Sequence, residues 1–501
     1  MELEMPQPSL LHRISVEDDV AIALTDLEPG AHAEIGGTVV EVTEPVSRGH
    51  KVALRDIKAG ETVRKLGWPI GRATRNIGRG SHVHTHNFAT ALAGLNEYSF
   101  SPGGVRAPSS LDLGTFMGYR RSDGRVATRN EIWILCTVGC VARTAQRIAR
   151  IGSERFAGRV DGIHAFTHPF GCSQLGDDLA HTRRLLASLA SHPNAGGVLV
   201  VGLGCESNQL NALLPDIERP DMARLRAFSA QAADDELQQG LAALEELVAV
   251  AERDRREPCP VSALTVGLKC GGSDSFSGIT ANPLVGHVAD RVCASGGTAI
   301  LTEIPEIFGA EHLLMERAVD ESVFRDVVTL VNDFKRYFLD HGQPIHENPS
   351  PGNIAGGITT LEEKSLGAVQ KGGHSPLTQV LRYGTRVSRP GLALLEAPGN
   401  DAVSSTALVA AGATVLLFTT GRGTPLGFPV PTLKISSNSA LARKKPGWID
   451  FDAGTVLEGD TVVEAGDKLL RLVIDTASGK ESRNEINDER EISIWKSGVT
   501  L

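Results

Sequence analysis

The sequence predicts an α/β protein with a small, mostly β domain at its N-terminus and a large two-part α/β body with mainly parallel sheets. Short β-type runs separated by Gly- and Pro-containing turns extend from Val20 to about Thr90, which is typical of a small β domain. After Gly118, apolar runs alternate with helical segments, the pattern of parallel strands joined by crossover helices. The length of 501 residues also exceeds the roughly 250–300 residues at which a single hydrophobic core stops growing, so several domains are expected.

The changes of pattern divide the chain into five units. They are a lead over residues 1–15, a β domain over 16–92, a linker over 93–117, a first α/β domain over 118–255 and a second over 256–501. The linker is predicted from two polar, Gly- and Pro-rich stretches, Ser101-Pro102-Gly103-Gly104 and Ala107-Pro108-Ser109-Ser110.

The individual elements follow from the period of the apolar residues. Apolar runs predict strands at Val20–Leu24, Thr38–Val42, Lys51–Leu54, Ile132–Leu135, Gly197–Leu203, Ala263–Leu268, Thr298–Thr302, Leu392–Glu396 and Thr414–Phe418. A helical period predicts helices at Val141–Ile151, Asp235–Glu252, Pro283–Cys293, Glu311–Ala318, Glu321–Leu339 and Ala402–Ala411.

Composition and charge exclude several classes of partner. A net charge of −10 and a pI near 5.9 argue against general nucleic-acid binding, so an anionic ligand would need a local basic pocket. The start of the chain lacks the basic and apolar segments of a secretory signal, and the most apolar stretch, Ala407–Phe418, falls short of the roughly 20 residues of a membrane span. Seven scattered cysteines favour a reducing compartment over a disulfide framework. The sequence therefore predicts a cytoplasmic protein.

The segment Ser81–Asn87 concentrates three imidazoles, those of His82, His84 and His86. In an extended strand, side chains two residues apart share a face, so the three rings would point the same way. Such a group could bind a divalent metal or hold an acid/base pair. The alternative is that one or two of these rings lie in solvent or cap a turn.

Four cysteines follow predicted strands or lie in Gly-rich turns, where ligands of open α/β sheets bind: Cys140, Cys172, Cys205 and Cys270. None of them forms a CxxC pair, so their spacing does not indicate a zinc or iron–sulfur site, and burial of a small residue is the alternative. The segment Gly202–Ser207 resembles half of a dinucleotide fingerprint, but Ser207 stands where the third glycine belongs, which argues against NAD binding.

The loop Gly271–Gly278 places small hydroxyl residues and glycines between a strand and a helix, which suits a pocket for carboxylate or hydroxyl groups. A turn with an Asp or Ser cap explains some of these residues but not all. Lys269 beside the loop would supply positive charge. Two further lysines, Lys364 and Lys371, are candidate carboxylate clamps, although Glu362–Ser365 is also typical of a helix start.

The segment Gly118–Trp133, which contains Tyr119-Arg120-Arg121-Ser122-Asp123-Gly124-Arg125, resembles the altronate/galactarate dehydratase family. Ordered motifs along the chain are similar too: Arg48–Lys51, Ser81–Asn87, Leu203–Glu206, Lys269–Gly278, Thr302–Glu306 and Pro398–Asp401. The resemblance extends from about residue 15 to the C-terminus, and the histidines resemble the altronate branch more closely than the galactarate branch. It implies an N-terminal SAF-type (β-clip) domain, a two-part hydro-lyase body and a divalent metal, Fe²⁺ with Mn²⁺ as the alternative.

The reaction that the resemblance implies is dehydration of D-altronate to 2-dehydro-3-deoxy-D-gluconate in hexuronate catabolism. A galactarate dehydratase, or a related lyase acting on a sulfonated hydroxy acid, would keep the same kind of site. A sugar-acid binding protein without catalysis is the alternative of a different class. The expected partner is a small sugar acid, with neither nucleic acid nor membrane, and a homo-oligomer is left open.

Removal of a weakly acidic proton next to a carboxylate requires a base, an acid and positive charge that neutralises the developing enediolate. The resulting hypothesis assigns metal binding to His50, His82, His84 and His86, with Cys140, Cys172, Cys205 and Cys270 as an alternative set. It assigns catalysis to His84, His86, Lys269 and Asp274, and substrate binding to Ser273, Ser275, Asn400 and Arg422, with Cys205, Glu206 and Cys270 as further candidates.

Overall fold

A computed structural model describes residues 9–95, 97–100 and 110–501 of the chain. Residues 1–8 of the predicted lead and residues 101–109 of the predicted linker, with most of its two Gly- and Pro-rich stretches, lie outside the described residues.

The N-terminal domain is built from nine short antiparallel strands among the described residues. The strands are β1 (Leu11–His12), β2 (Val20–Ala23), β3 (His32–Ile35), β4 (Thr38–Glu41), β5 (Lys51–Ala53), β6 (Thr62–Lys65), β7 (Trp68–Ala73), β8 (His82–Val83) and β9 (Phe88–Ala89). They form sheets of order β1-β2-β5-β8, β3-β4 and β6-β7-β9. Since Val52 of β5 pairs with His82 of β8, residues that are distant in sequence lie side by side.

The middle domain is a parallel sheet covered by helices on both faces. Its elements are β10 (Thr115–Arg120), β11 (Val126–Ala127), β12 (Glu131–Cys136), α1 (Ala142–Arg155), β13 (Gly162–Phe166), α2 (Gly176–Ala190), β14 (Ala195–Gly202), α3 (Leu210–Leu213), β15 (Leu225–Ser229) and α4 (Glu236–Ala251). The sheet has the order β13-β12-β14-β15. Successive residues of β12 point to opposite faces, so Ile134 packs in the core under α1 and α4, and Trp133 packs in the core under α2.

The C-terminal domain contains a seven-stranded parallel sheet of order β19-β20-β18-β17-β21-β22-β23. Its strands are β17 (Thr265–Cys270), β18 (Thr298–Leu301), β19 (Leu377–Leu381), β20 (Gly391–Leu395), β21 (Val415–Thr420), β22 (Thr432–Ser436) and β23 (Phe451–Asp452), and β16 (Glu257–Pro260) pairs with β10. Its helices are α5 (Ala281–Ala294), α6 (His312–Met315), α7 (Glu321–Asp340), α8 (Pro351–Ala355), α9 (Leu361–Ala368), α10 (Asp401–Ala410), α11 (Ser439–Lys444), α12 (Val462–Ala477) and α13 (Arg483–Ile486).

The connections of this sheet reverse direction at β17. The strands β18, β19 and β20, which follow β17 in the chain, lie on one side of it in the sheet. The later strands β21, β22 and β23 lie on the other side. In open α/β sheets, ligands bind at the carboxyl ends of the strands next to such a switch point. The fold therefore directs attention to the residues that follow β17 and β18.

One apolar core joins the middle and C-terminal sheets. Leu185 of α2 and Leu408 of α10 lie in the same buried cluster as Trp133 of one sheet and Leu416 of the other. The two helices pack against each other between the sheets. Among the described residues, none of the helices combines the length and apolar character that crossing a bilayer requires.

The predicted fold class, a mostly β N-terminal domain followed by an α/β body with mainly parallel sheets, is confirmed. Two local predictions differ from the structure. The extended conformation expected around the histidines holds for His82 and Val83, and a turn closed by a hydrogen bond from Asn87 N to His84 O follows. The helix expected over Glu311–Ala318 is limited to α6, because Ala318 already bridges to Leu377 at the start of β19.

Candidate active site

A group of buried ion pairs lies at the carboxyl ends of β17 and β18. We call it the reaction cluster; its members are Lys269, Glu303, Glu306, Lys364, Lys371 and Asp401. Lys269 Nζ contacts the Glu303 carboxylate and lies 2.8 Å from Asp401 Oδ1. Lys371 Nζ lies 2.9 Å from Glu303 Oε2, and Lys364 Nζ lies 2.8 Å from Glu306 Oε1. Three cationic and three anionic side chains thus neutralise one another.

The backbone of Glu303 is strained. Its φ of 73° lies in the left-handed region, which costs an L-residue other than glycine about 1–2 kcal/mol. The conformation brings the carboxylate back over the end of β17, where its Oε2 accepts a hydrogen bond of 3.1 Å from Cys270 N. Strain of this kind concentrates at functional sites, so Glu303 marks this strand end as a candidate active site.

The electrostatics keep the lysines of the cluster charged. Burial would lower the pKa of Lys269, but Glu303 and Asp401 outweigh burial and hold it above its ordinary value. The pKa of Lys371 is raised in the same way, against the effect of burial, by Cys270 and Glu303. Burial, assisted by Glu303, raises the pKa of the Cys270 thiol to about 12. At neutral pH the lysines are therefore charged and remain paired with the carboxylates.

Asp401 is the member of the cluster that reaches the surface. Its side chain is 37% exposed, whereas those of Lys269 and Glu303 are 0% and 1% exposed. Gly271 makes room for it, since a Cβ at that position would lie 2.5 Å from Asp401 Oδ2. Arg422, an exposed residue after β21, donates a hydrogen bond of 3.2 Å from Nη1 to Gly352 O, and a Cβ at Gly272, the residue after Gly271, would lie 3.5 Å from Arg422 Cβ.

The four predicted histidines gather where the N-terminal domain contacts α8. We call His50, His82, His84 and His86 the histidine group; ring centroids within it are separated by 4.9–5.5 Å for the pairs in contact. His84 Nε2 lies 3.2 Å from Ile354 O and His50 Nε2 lies 3.3 Å from Ala355 O. Asn353, the neighbour of Ile354, accepts a hydrogen bond from Lys364 Nζ, so α8 links the histidine group to the reaction cluster.

The hydrogen bonds determine the tautomers of the histidines. A carbonyl oxygen can only accept, so the neutral His50 ring carries its proton on Nε2 and accepts at Nδ1 from His82 Nε2, 3.0 Å away. His82 is then left with a lone pair on Nδ1. By the same reasoning His84 donates from Nε2 and keeps its lone pair on Nδ1, facing the Thr85 hydroxyl at 3.1 Å.

Three of these rings are held neutral. Burial, with neighbouring histidines, lowers the pKa of His82 to about 3. Burial also lowers the pKa values of His50 and His84 below the ordinary range. A metal ion requires neutral imidazole ligands with lone pairs, and these rings meet that requirement. No three of their nitrogens lie within 4.8 Å of one another among the described residues, so the rings would have to turn to bind one ion together.

A second ligand set is a weaker fit for a divalent metal. Sγ of Cys270 and one carboxylate oxygen each of Glu303 and Glu306 lie within 4.8 Å of one another, the only such set of three His, Cys, Asp or Glu donors among the described residues. These donors already contact ammonium groups, with Lys371 Nζ 2.8 Å from Cys270 Sγ. A divalent cation there would be repelled by the lysines that balance the carboxylates.

A second buried ion cluster fastens the N-terminal domain to the body. We call it the docking cluster; its members are Lys51, Lys65 and Glu363. Lys51 Nζ lies 2.8 Å and Lys65 Nζ 2.7 Å from the Glu363 carboxylate, and Lys51 also donates to Gly357 O at 2.7 Å. Burial raises the pKa of Glu363, but the two lysines outweigh it and hold that pKa far below its usual range. Burial, opposed by Glu363, lowers the pKa of Lys51 to about 8.

Two predicted site residues, Asp274 for catalysis and Asn400 for substrate binding, have structural partners. The Asp274 carboxylate accepts hydrogen bonds from Ser437 Oγ at 2.7 Å and Asn438 Nδ2 at 3.1 Å, and it also caps its own turn. Asn400 caps α10 by accepting from Val403 N at 3.1 Å. For Asp274, these contacts are those of the turn and cap that were the alternative interpretation of the loop Gly271–Gly278.

The serines of the same loop differ from Asp274. Ser273 is buried and its carbonyl oxygen accepts a hydrogen bond of 2.8 Å from Asn353 Nδ2. The buried hydroxyl of Ser275 makes no hydrogen bond and lines a cavity of about 20 Å³ beside Glu363 and Lys364. That volume suits about one water molecule rather than a sugar acid. A wider cavity of about 670 Å³ lies against α1 and β13 and is lined by none of the predicted site residues.

The four predicted cysteines separate into two places. Cys270 is buried in the reaction cluster, whereas Cys140, Cys172 and Cys205 are exposed on the middle domain. Glu206 is buried beside them and accepts hydrogen bonds from the backbone amides of Leu203 and Gly204.

Sequence reasoning named Glu303, Glu306 and Asp401 only within the motifs Thr302–Glu306 and Pro398–Asp401 and assigned none of them a role in the site. Their signal was present, because Glu303 and Glu306 follow the predicted strand Thr298–Thr302 and Asp401 follows the predicted strand Leu392–Glu396. Carboxylates at the ends of adjacent parallel strands meet at one edge of a sheet. Applying that rule to acidic residues as well as cysteines would have found them.

Comparison with protein-family models matches nearly the whole chain. Residues 10–91 match the altronate/galactarate dehydratase SAF domain, residues 118–252 the second domain of D-galactarate dehydratase/altronate hydrolase, and residues 261–500 the C-terminal domain of D-galactarate/altronate dehydratase. The resemblance found in the sequence motifs is thereby confirmed.

Curated relatives agree with these matches. An altronate dehydratase of Escherichia coli (strain K12) is 50% identical over 491 residues, covering 98% of this chain and 99% of the relative. An altronate dehydratase of Bacillus subtilis (strain 168) is 47% identical over 496 residues, covering 98% and 99%. A galactarate dehydratase (L-threo-forming) of Escherichia coli (strain K12) is 35% identical over 503 residues, covering 96% and 95%.

Proposed function

The chain belongs to the D-galactarate/altronate dehydratase family, and on that premise we propose that it dehydrates D-altronate to 2-dehydro-3-deoxy-D-gluconate. The two altronate dehydratases are 50% and 47% identical to the chain, against 35% for the galactarate dehydratase, which favours altronate as the substrate. The observation that carries the location of the site is the partly exposed Asp401 carboxylate, held by the buried Lys269 at the sheet's switch point.

The reaction takes a proton from the carbon next to the carboxylate and expels the neighbouring hydroxyl group as water. The enol that forms then tautomerises to the 2-keto-3-deoxy acid. Asp401 is assigned as the group that accepts the proton, because it is the carboxylate of the reaction cluster that substrate can reach. Lys269 is a positioning residue, since its ammonium is fully buried and holds Asp401 at 2.8 Å.

Positive charge at the opening stabilises the developing enediolate. Arg422, an exposed cation that follows β21, is proposed to hold the substrate carboxylate. Behind it, the ammonium groups of Lys269, Lys364 and Lys371 lie in a region from which water is largely excluded, and each is paired with a carboxylate that it holds in place. Fixed charges in such surroundings act more strongly than they would in water.

The histidine group is proposed to hold the divalent metal, Fe²⁺ with Mn²⁺ as the alternative. His82, His84 and His86 would bind the ion, and His50 would orient His82 through the hydrogen bond of 3.0 Å between their rings. A bound divalent ion would supply Lewis acidity toward the hydroxyl group that leaves. The low pKa of His82 favours this role over proton acceptance.

We further propose a reducing compartment, the cytoplasm, as the location of the protein. All seven cysteines are free thiols, as expected where disulfides do not persist.

The proposed function is tested by incubating the anaerobically purified, iron-loaded protein with D-altronate and, separately, with galactarate. Appearance of a 2-keto-3-deoxy acid from altronate, faster than from galactarate, is the expected result. Thermal stabilisation by altronate without any keto product would instead establish a binding protein and contradict the proposal.

The metal assignment is tested with Mn²⁺, whose free-ion EPR signal is lost on binding. Replacing His82 or His84 by Ala is expected to weaken Mn²⁺ binding about 10–100-fold or more. The exposed His32→Ala, on the same domain, is the matched control. Equal Mn²⁺ affinity in His82→Ala, His84→Ala and the control would rule out the histidine group as the site.

A further inference from the structure

The exposed cysteines of the chain are confined to one domain. Cys136, Cys259, Cys270 and Cys293 are buried, and the three exposed thiols, Cys140, Cys172 and Cys205, all belong to the middle domain. Neither the proposed reaction nor the packing of the core uses these three. Cysteine is among the residue types most often buried, so three exposed copies on one surface require an explanation.

The topology brings the three thiols to one edge of the middle sheet. Cys172 follows β13, Cys140 follows β12 and Cys205 follows β14, and these three strands are adjacent and parallel in the order β13-β12-β14. The carboxyl edge of a parallel sheet is where ligands of α/β domains bind. Successive cysteines are separated by more than thirty residues in the chain, so no short sequence motif indicates that they lie together.

The three loops are fastened to one another. Gly139 N, next to Cys140, donates a hydrogen bond of 2.8 Å to Phe170 O, and Asn208 N donates one of 3.0 Å to Gly171 O, next to Cys172. Asn208 Nδ2 also reaches Thr137 O at 3.1 Å. The loops that bear the cysteines therefore form one rigid surface rather than three independent segments.

Glu206 adds a second tie between the loops. Its carboxylate accepts hydrogen bonds from the Thr137 hydroxyl before Cys140 and from the amides of Leu203 and Gly204 before Cys205. Burial raises the pKa of Glu206, but these hydrogen bonds outweigh burial and hold it below the ordinary value. An ionised, buried carboxylate thus fixes the positions of two of the three cysteines.

The backbone around Cys172 adopts unusual conformations that bring its loop close to the loop of Cys140. Gly171 has a φ of 100°, and a Cβ there would lie 2.1 Å from Thr137 O. Ser173, on the other side of Cys172, has a φ of 56°, in the left-handed region that glycine favours. Strain at Ser173 therefore accompanies the placement of Cys172 against the loop of Cys140.

The spacing of the thiols is too wide for a single ion. Metal–sulfur bonds of about 2.3 Å place the thiolates of one tetrahedral ion within about 4 Å of one another. Among the residues that the structure describes, the only set of three ligand atoms within 4.8 Å of one another is the one at Cys270, so the three exposed sulfurs lie farther apart as a set. A larger inorganic core, in which each sulfur binds a different iron, accommodates thiolates that lie farther apart than those around a single ion.

We propose that Cys140, Cys172 and Cys205 hold a [4Fe–4S] cluster through three thiolates. Its fourth iron has no cysteine ligand and remains open to an oxygen donor, such as the carboxylate or hydroxyl group of a hydroxy acid. Gln231 Nε2 lies 3.5 Å from Cys205 Sγ and supplies the kind of N–H···S hydrogen bond that tunes such clusters. The proposal concerns a cofactor site and does not depend on the identity of the substrate.

The test is the metal and sulfide content of the full chain purified anaerobically and supplied with iron and sulfide. About four acid-labile sulfides per chain are expected, with four irons in the cluster in addition to any ion in the histidine group, and broad visible absorption. Adding ferricyanide should remove one electron and release the fourth iron as Fe²⁺, leaving a three-iron cluster with a characteristic EPR signal. Release of that iron distinguishes three cysteine ligands from four.

Variants locate the cluster on the chain. Cys140→Ser, Cys172→Ser and Cys205→Ser are each expected to lower acid-labile sulfide at least about tenfold. Cys293→Ser, at a buried cysteine of α5, is the matched control and should keep the wild-type content.

Several results would overturn the proposal: an absence of acid-labile sulfide in the wild type, zinc in place of iron, a cluster that survives in the triple serine variant, or oxidation without loss of iron. None of these readouts requires altronate. Failure of the cluster and failure of the dehydratase assignment are therefore distinguishable.

Discussion

Two buried lysine–carboxylate clusters meet at α9, and each contains one of two consecutive residues of that helix. Glu363 belongs to the docking cluster, where two lysines of the N-terminal domain share one carboxylate. Lys364 belongs to the reaction cluster, where it pairs with Glu306. Each cluster is buried and charge-paired, so burial and charge alone do not say which one performs chemistry.

The two clusters differ in the solvent exposure of their side chains and in backbone strain. Every member of the docking cluster has a side chain that is at most 4% exposed, whereas Asp401 of the reaction cluster is 37% exposed. The reaction cluster also contains Glu303, whose φ of 73° is strained, while the members of the docking cluster all have ordinary negative φ values. A buried ion pair that only joins domains needs neither an opening nor strain, so these two features indicate catalysis.

The largest expected difference between the clusters is kinetic. Asp401→Asn removes the assigned proton acceptor and should lower kcat about 10²–10⁴-fold. The melting temperature should change little, because the side chain is partly exposed and Lys269 keeps Glu303 as a partner. Steady-state kinetics and thermal unfolding of the same preparation check both statements. A kcat within a few-fold of the wild type would remove Asp401 from its proposed role.

The docking cluster should respond in the opposite way. Glu363→Gln leaves two buried ammonium groups without their carboxylate, and we expect the free energy of unfolding to fall by about 3–5 kcal/mol. The folded fraction should keep a kcat close to that of the wild type, since Glu363 does not reach the opening. Glu34→Gln, at an exposed glutamate of the N-terminal domain, is the control and should stay within about 0.5 kcal/mol. Equal stability of the two variants would show that the docking cluster does not hold the domain.

The sequence predicts part of the reaction cluster but not the ion pairs of the docking cluster. Lys269 could be predicted because it ends an apolar strand and precedes a Gly-rich loop. The partners of Lys51 and Lys65 could not, because Glu363 lies about three hundred residues away in the chain and only the docking of two domains joins them. The same applies to His50, which comes next to His82 through the pairing of β5 with β8.

The pH dependence of stability should also follow the docking cluster. The pKa of Glu363 is lower in the folded than in the unfolded chain, where it is about 4.3. Its contribution is therefore fully present above about pH 4.3 and is lost as the pH falls further. The difference in melting temperature between wild type and Glu363→Gln should narrow as the pH falls below that value. A constant difference down to about pH 3 would contradict the assignment.

The smallest expected effect isolates the strain at Glu303. Glu303→Gly and Glu303→Ala remove the same carboxylate, but only glycine adopts a φ of 73° without cost. The Gly variant should therefore be more stable than the Ala variant by about 1 kcal/mol, after allowance for the greater flexibility of glycine in the unfolded chain. Chemical denaturation of the two variants measures the difference. A more stable Ala variant would mean that position 303 is not strained.

If altronate is dehydrated beside Asp401, a crystal structure of the Asp401→Asn variant soaked with altronate should show the sugar acid there. We expect density with its carboxylate on Arg422 and its second carbon next to position 401. Altronate bound elsewhere, such as in the cavity against α1 and β13, with no density beside position 401, would rule out this location for the reaction.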